Sequence, residues 1–345
     1  MIQKIRLRQF RSYLDREFSF SSGVNIISGP NASGKTNLLE AVMFACLGSS
    51  YRAPDSELIM HSKHWSRIDA QTSVDSRTVK LDHHYKPTKQ FVINNKPYRR
   101  LSSNTQLPIV LFEPNHLLML SGPPELRRNY LDGILELIKP GFQKTRREYM
   151  RTLRQRNILL RKGKVSSAEL FPWNVRLSHL GGEIARLRAE LTLGLNKKVK
   201  NVYSALSGTA AKIDLIYKSG VEIGSYENHL LKKLESDLEI DLMRGFTGSG
   251  PHREDLEVLI NQKTPSAAAS RGEARMLVIA LKILEVDKLE QCLDKRAIIL
   301  MDDVFGELDR ERSTTLTRYL SGHQSLITTT ESSLKNDSSS NIITS

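Results

Sequence analysis

An α/β fold with an antiparallel lobe and an inserted basic helical arm is predicted by three features of the chain. Residues 29–36 read GPNASGKT, which fits the G-x-x-x-x-G-K-[ST] phosphate cradle. Residues 297–303 read AIILMDD, an apolar strand ending on two acids, and such a cradle needs an acid of this kind to hold Mg²⁺. Roughly 260 residues separate the two, and the middle of that gap is helical in pattern and strongly basic.

The elements follow in order. At 345 residues the chain is long enough for one large domain or two ordinary ones, and 39% hydrophobic content supports a packed core. Residues 2–28 alternate apolar and polar (Ile5, Leu7, Phe10, then Phe18, Phe20, Val24, Ile26), the period of strands. The cradle comes next, between the β-prone run Val24-Asn25-Ile26-Ile27 and the helix-prone run from Thr36 to Leu47. Strand, loop and helix in that order let backbone N–H groups approach phosphate oxygens while the helix aims its positive end at them. Gly29, Pro30, Asn31, Ala32, Ser33, Gly34, Lys35 and Thr36 are thus the expected nucleotide contacts, with Lys35 on the β- and γ-phosphates and Thr36 on Mg²⁺. From about 65 to 112, short alternating runs broken at Asn94-Asn95 and Pro97 predict an antiparallel lobe.

The texture changes at Ser121-Gly122-Pro123-Pro124. A helix is expected over roughly 142–161, with Phe142, Tyr149, Leu153 and Leu160 on one side. A second seam runs through Leu177, Leu180, Ile184, Leu187 and Leu191 at spacings of 3, 4, 3 and 4, like a coiled coil. The intervening RKGKVSSAELFPW reads as a loop, giving an antiparallel helical hairpin. Residues 125–200 hold 18 Lys and Arg against 7 Asp and Glu, nearly all of the chain's net +13. A surplus of that size favours a polyanionic partner, DNA before an anionic membrane. Arg146, Arg147, Arg151 and Arg154 are the candidate DNA contacts, the last three sharing a helix face; a merely solvated face is the plainer alternative.

Mixed texture resumes near 240. The predicted division is a discontinuous head over 1–120 and 240–330, an arm over 121–239 and a disordered Ser-rich tail over 331–345. In the head, Ser270 and Gly272 open a helix with an apolar face through Leu277, Ala280, Leu281 and Leu284. A Ser-x-Gly turn at a helix start is a second anion-binding device, although alone it is usually just an N-cap. On the acidic strand Asp302 is expected to hold Mg²⁺ and Asp303 to face the attacking water as catalytic base. No guanine-reading Asn-Lys-x-Asp is present (Asn95-Lys96-Pro97-Tyr98 lacks the aspartate), which favours adenine. His61, His64, His83 and His84 lack a nearby third ligand and read as surface residues. Cys46 and Cys292 both fall in apolar helical runs and are expected to be buried thiols in a reducing compartment. No run of 18 apolar residues exists and the N-terminus has no signal-type apolar region, so a cytoplasmic protein is expected.

The cradle, the Ser-x-Gly helix, the acidic strand and Glu307-Leu308-Asp309, with a helical arm inserted, resemble the ATPase heads of the ABC superfamily in its SMC-like branch. Within that branch the chain is similar to the RecF family, through FRSY (10–13), GPNASGKTNLLEA (29–41), GSSYR (48–52), GPPELRRNYLD (122–132), GPHRED (250–255) and DDVFGELD (302–309). The resemblance implies a P-loop ATPase head with ATP and Mg²⁺ as cofactors, weak DNA-stimulated hydrolysis, and Arg11 among the nucleotide contacts. It also implies an ATP-dependent homodimer in which Ser270 and Gly272 cap the other subunit's nucleotide. The dimer would clamp gapped or junction DNA and release it on hydrolysis. The implied setting is recombinational repair, replication-fork maintenance and the SOS response, with recombination mediator proteins as partners. Two other functions share some of these motifs: a DNA-binding scaffold in which ATP only locks the dimer, and a transporter ATPase subunit, which would lack a basic arm. The chain departs from the family at Ala32, where glycine is usual, and at Ser270-Arg271-Gly272-Glu273, where Ser-Gln-Gly-Gln is usual. Thr328, Thr329 and Thr330 stand where many ABC ATPases carry a histidine.

Overall fold

The alternation of the first residues becomes a strand hairpin, and nearly every other predicted element has a counterpart in the computed structural model, which describes residues 1–85, 87–308, 310–329 and 341–344. In chain order these are β1 (Ile2–Phe10), β2 (Tyr13–Ser19), β3 (Val24–Ser28), α1 (Lys35–Leu47), β4 (Trp65–Thr72), β5 (Ser76–Asp82), β6 (Thr88–Ile93), β7 (Lys96–Tyr98) and β8 (Ile109–Phe112). There follow α2 (Leu118–Ser121), α3 (Pro124–Ile138), α4 (Phe142–Arg161), α5 (Ser167–Ser207), β9 (Ile213–Lys218), α6 (Tyr226–Ser236), α7 (Leu238–Arg244), β10 (Asp255–Ile260) and α8 (Pro265–Ala268). The chain closes with α9 (Arg271–Leu293), β11 (Ile298–Asp302), α10 (Arg310–Leu320), β12 (Ser325–Thr329) and β13 (Asn341–Thr344).

Two compact units result: residues 1–116 together with the chain from Glu285 onward, and residues 117–284. In the first unit, an antiparallel sheet of order β2-β1-β4-β5-β6-β7 faces a parallel sheet of order β13-β3-β12-β11-β8. Helix α1 lies between them: Leu38, Leu39, Ala41, Val42, Phe44, Ala45 and Cys46 are all buried, in one core with Ile5, Leu7, Ile68, Ile109 and Leu300. A helix apolar on every side needs such a two-sided cover. The β6–β7 turn uses Asn94 and Asn95 at φ 46° and 64°, the left-handed pair a tight hairpin requires.

Three expectations are corrected here. Ile109–Phe112 is not part of the antiparallel lobe; all four residues are buried, without alternation, and pair in parallel with β11. The tail is not disordered throughout, because Asn341–Thr344 pairs in parallel with β3; residues 331–340 lie outside the described residues. Cys292 is exposed near the end of α9, past the last buried apolar residue Leu289, whereas Cys46 is buried and its thiol is pushed up to about 12 by desolvation.

In the second unit α4 and α5 form the expected hairpin, with Leu177, Leu180, Ile184, Leu187 and Leu191 all buried. Helix α5 begins earlier than expected. Ser166 and Glu169 form a reciprocal capping box that starts the helix, and Leu170 and Asn174 are buried on either side of Pro172, so ELFPW is helix and not loop despite the backbone bond lost at the proline. The division of the chain also falls elsewhere, near 117 and 285 and not at 121 and 240. The cause is non-local: β10 pairs antiparallel with β9, and the turn before it is tied to the arm. Arg188 Nε and Nη2 donate to Asp132 at 2.8 Å each, and its Nη1 donates to the Pro251 carbonyl at 2.7 Å. Arg156, fully buried, donates to Asn174, Asp241 and Thr247 at 2.6–2.8 Å. The Tyr149 hydroxyl donates to His252 Nδ1 at 2.7 Å, and His252 Nε2–H donates to the Thr247 carbonyl at 3.1 Å.

Burial holds the His252 pKa down to about 4, so the ring is neutral at pH 7, as a donor at Nε2 and acceptor at Nδ1 require. An unfolded histidine titrates near 6.5. The stabilisation linked to this depressed value is therefore complete above about pH 6.5 and lost as pH falls toward 4, on the order of 3 kcal/mol in all. Thermal melts of wild type and His252→Gln should show a gap at pH 7 that narrows between pH 6.5 and 4. A gap that does not change with pH would leave His252 without an ionisation role.

Candidate nucleotide site

The cradle lies between the end of β3 and the start of α1, and its shape is fixed by two left-handed residues. Gly34 sits at φ 103°, and a Cβ there would lie 2.9 Å from both Ser12 Oγ and Tyr13 Oη. Tyr13 also donates to the Gly34 carbonyl at 3.0 Å, so the β1–β2 hairpin braces the loop from beneath. Ala32 sits at φ 63°, which explains why glycine is usual there; an L-residue in this region costs about 1–2 kcal/mol. Helix α1 starts with no side-chain cap and no acid in its first turn, so its leading N–H groups keep their positive end available. Lys35 Nζ donates to the carbonyls of Gly29 and Pro30 at 2.7 and 2.8 Å, holding its charge over the loop.

Thr36 and Asp302, 266 residues apart in sequence, meet directly: the Thr36 hydroxyl donates to Asp302 Oδ1 at 2.9 Å. That spacing suits a shared magnesium ion, since neighbouring corners of an octahedron with bonds of 2.0–2.1 Å lie about 2.9 Å apart. Among the described residues no cluster of three His, Cys, Asp or Glu side chains could hold a metal. A magnesium ion takes one or two protein oxygens and completes its shell with water and phosphate, so Thr36 and Asp302 would suffice on the protein side. Thr328 adds a second tie that sequence reasoning missed. Its hydroxyl donates to the same Asp302 Oδ1 at 2.7 Å and accepts the Asp303 backbone N–H at 3.0 Å. Asp303 leaves the strand at φ 53°, exposed, while Asp302 is held inward.

Arg11 lies beside α1. Its Nε and Nη2 donate to Glu40 at 2.9 and 3.0 Å, and Ser50 Oγ donates to the same carboxylate at 2.5 Å. Glu40 is fully buried, and the bond to it raises the Arg11 pKa. A single acid in the apolar run TNLLEAVMFACL was the available signal for this pair. Ser270 and Gly272 belong to the second unit, at the start of α9. Ser270 Oγ accepts from Glu273 N at 3.3 Å, and Glu273 accepts from Ser270 N at 2.8 Å, a capping box in which Arg271 is exposed and takes no part. Thr330 and Asp309 lie outside the described residues.

Of the four candidate arginines on α4, three differ from the fourth. Arg146 is bound to Asp132 at 2.9 Å and to Glu136 at 2.8 Å, whereas Arg147, Arg151 and Arg154 are exposed and have no carboxylate partner among the described residues.

Thr328→Val keeps the shape of the side chain but removes its hydrogen bonds to Asp302 and from the Asp303 N–H. Metal-free ATP binding should persist, and metal-dependent turnover should fall at least tenfold with a stability loss of about 1–3 kcal/mol. Thr328→Ser should recover most of both. Full turnover by the valine variant, measured by phosphate release, would remove Thr328 from the metal's support.

The RecF/RecN/SMC N terminal domain family matches residues 1–344. The DNA replication and repair protein RecF of Heliobacterium modesticaldum is 32% identical over 342 residues, covering 95% of this chain and 92% of the relative. That of Moorella thermoacetica is 32% identical over 336 residues, covering 96% and 90%. Among solved structures, RecF–ATP, a recombination mediator of the RecFOR pathway, superposes with a TM-score of 0.87 at 28% identity, covering 96% of this chain and 92% of that one. An Smc head bound to the C-terminal winged-helix domain of ScpA shares the fold at a TM-score of 0.57 and 15% identity, covering 96% and 90%. With the phosphate cradle, the acidic strand and the inserted arm all in place, the chain belongs to the RecF family, in the SMC-like branch of the ABC ATPases.

Proposed function

We propose that this protein is an ATP-dependent DNA-binding protein of recombinational repair and replication-fork maintenance, whose ATP-bound dimer clamps gapped or junction DNA and whose hydrolysis of ATP releases it. The Thr36–Asp302 contact carries the reading, because it closes two halves of one nucleotide–metal site from opposite ends of the chain. Lys35 and the α1 N-terminus bind the phosphates, and Arg11 joins them through Nη1, the nitrogen not committed to Glu40. Thr36 and Asp302 hold Mg²⁺, which when bound neutralises charge on the phosphate oxygens. Asp303, exposed beside Asp302, accepts the proton of the attacking water. Ser270 and Gly272 meet the nucleotide of the partner subunit in a head-to-tail dimer. The relatives named for DNA replication and repair, and the RecFOR setting of the solved structures, support the DNA and mediator-protein partners. No helix among the described residues is long and apolar enough to cross a membrane, and the proposed location is the cytoplasm.

Lys35→Ala should lose ATP binding, because the triphosphate loses its cradle cation. Asp303→Asn should bind ATP and still dimerise but hydrolyse roughly 100-fold or more slowly in single turnover, with and without DNA. Normal single-turnover hydrolysis by Asp303→Asn would transfer the base role elsewhere. ATP-dependent dimers with no measurable hydrolysis in wild type would favour the scaffold function over the ATPase.

The DNA path is assigned to the exposed face of α4. Replacing Arg147, Arg151 and Arg154 together by Gln should flatten the slope of log affinity against log salt by roughly 2–3 units on duplex DNA. Arg146→Gln should change it less, its charge being already met by two carboxylates. An unchanged slope in the triple variant would move the path off this helix.

A further inference from the structure

Arg128 differs from the arginines around it. Arg127, Arg146, Arg156 and Arg188 each have a carboxylate: Asp255, Asp132 with Glu136, Asp241, and Asp132 again. Arg128, half-buried on α3, donates from Nη1 to the Glu254 backbone carbonyl at 2.7 Å and has no carboxylate within ion-pair distance among the described residues. The Glu254 side chain is turned away, accepting from the hydroxyls of Tyr217 and Tyr226. Burial, then the nearby Arg188, act against the Arg128 charge and lower its pKa. Arg253 is similar: exposed, without a carboxylate partner among the described residues, its guanidinium 4.7 Å from the Phe246 ring centre.

Both arginines line one cavity of about 310 Å³, wholly within the second unit. Four arginines line it (Arg128, Arg146, Arg188 and Arg253) against two acids, Glu125 and Asp132. Asp132 is already shared by Arg146 and Arg188, which leaves Glu125 as the one lining acid not already paired; Asp255, beside Arg128 but outside the lining, is held by Arg127. A half-desolvated guanidinium without a counter-ion is costly, and a planar fork of N–H donors matches phosphate oxygens two at a time. The volume lies at the low end for small-molecule sites, room for a phosphate with an attached sugar.

We propose that this cavity is a second phosphate-binding site, separate from the cradle, in which Arg128 and Arg253 together hold one phosphate group of a nucleic-acid strand end or of a small phosphorylated ligand. The site does not depend on the DNA clamp proposed above, since it is defined by phosphate chemistry alone. Its residues share no element with the ATP cradle, and none of them is used in the hydrolytic scheme.

The cradle also binds phosphate, so the test uses Lys35→Ala as the background. Inorganic pyrophosphate titrated into that protein by calorimetry should show a binding event. Adding Arg128→Gln and Arg253→Gln should weaken it tenfold or more, as expected when charge-assisted hydrogen bonds are removed. Arg128→Lys with Arg253→Lys, which keeps both charges, should recover part of the affinity. No binding to the Lys35→Ala protein, undiminished binding to the glutamine variant, or equal loss in the glutamine and lysine variants would each overturn the proposal. The source is read by competition. Displacement of pyrophosphate by a 5′-phosphorylated single strand, and not by its 5′-hydroxyl twin, identifies a strand end. Displacement by ribose 5-phosphate alone identifies a small ligand.

Discussion

Asp302 accepts hydrogen bonds from Thr36 and Thr328 on the same oxygen, and that shared acceptor fixes the ends of β11 and β12 relative to the start of α1. It can do so only because β3, β12 and β11 are parallel neighbours: Asp302 pairs with Thr328, and Thr328 with Ile27. A register slip of one residue would turn Asp302 from the site into the sheet's other face. Ligands in open α/β sheets sit beyond the carboxyl ends of the strands, which is where this oxygen cluster lies.

The same sheet accounts for the long gap between the two halves of the site. The chain leaves the first unit after β8 and returns to it in α9, just before β11, and β8 and β11 are themselves paired, Ile298 with Ile109. The insertion therefore begins and ends next to adjacent strands, and the sheet closes whatever the inserted segment contains. Closing a longer loop costs little extra, about 0.6 kcal/mol for each doubling of length. The inserted unit then needs an organisation of its own, and arginine–carboxylate pairs supply much of it. The buried pairs Arg156–Asp241 and Arg188–Asp132, and the part-buried Arg127–Asp255, each join segments far apart in sequence. The two buried pairs add little net stability over apolar packing, but removal of one partner leaves a buried charge at a cost of about 3–5 kcal/mol. They also mean that the arm's formal charge overstates what it presents to a partner, because several of its cations are neutralised inside.

What was legible in the sequence was local. The cradle needs its glycines and its lysine at fixed spacing, and the helical seam of α5 repeats within a few turns, so both could be read directly. The features that escaped depend on distant partners. Ile109–Phe112 reads like any short apolar run until β11 lies beside it. Residues 240–284 read as head until β10 pairs with β9 and Pro251 meets Arg188. Asn341–Thr344 is hidden by the Ser-rich stretch before it and gains its strand only from the exposed edge of β3. Pro172 suggested a loop, yet the capping box at Ser166 and Glu169 had already started the helix. In sequence Thr328 stands out only as the place of a missing histidine, whereas its hydroxyl ties Asp302 to the Asp303 backbone.

The left-handed turn at Asp303 sends two adjacent acids in different directions. Two carboxylates aimed at one point would repel, and one would be driven to hold a proton. Here Asp302 is fixed inward by two hydroxyl donors, while the backbone turns at φ 53° and carries Asp303 to the surface. Aspartate adopts this conformation more readily than most residues, because its short side chain can hydrogen-bond locally, but it still stores strain of about 1–2 kcal/mol. The Thr328 hydroxyl, which accepts the Asp303 N–H, holds the turn in place. One threonine thus sets both the inward acid and the backbone of the solvent-facing one. The divergence that the proposed roles of Asp302 and Asp303 require is built into the strand end.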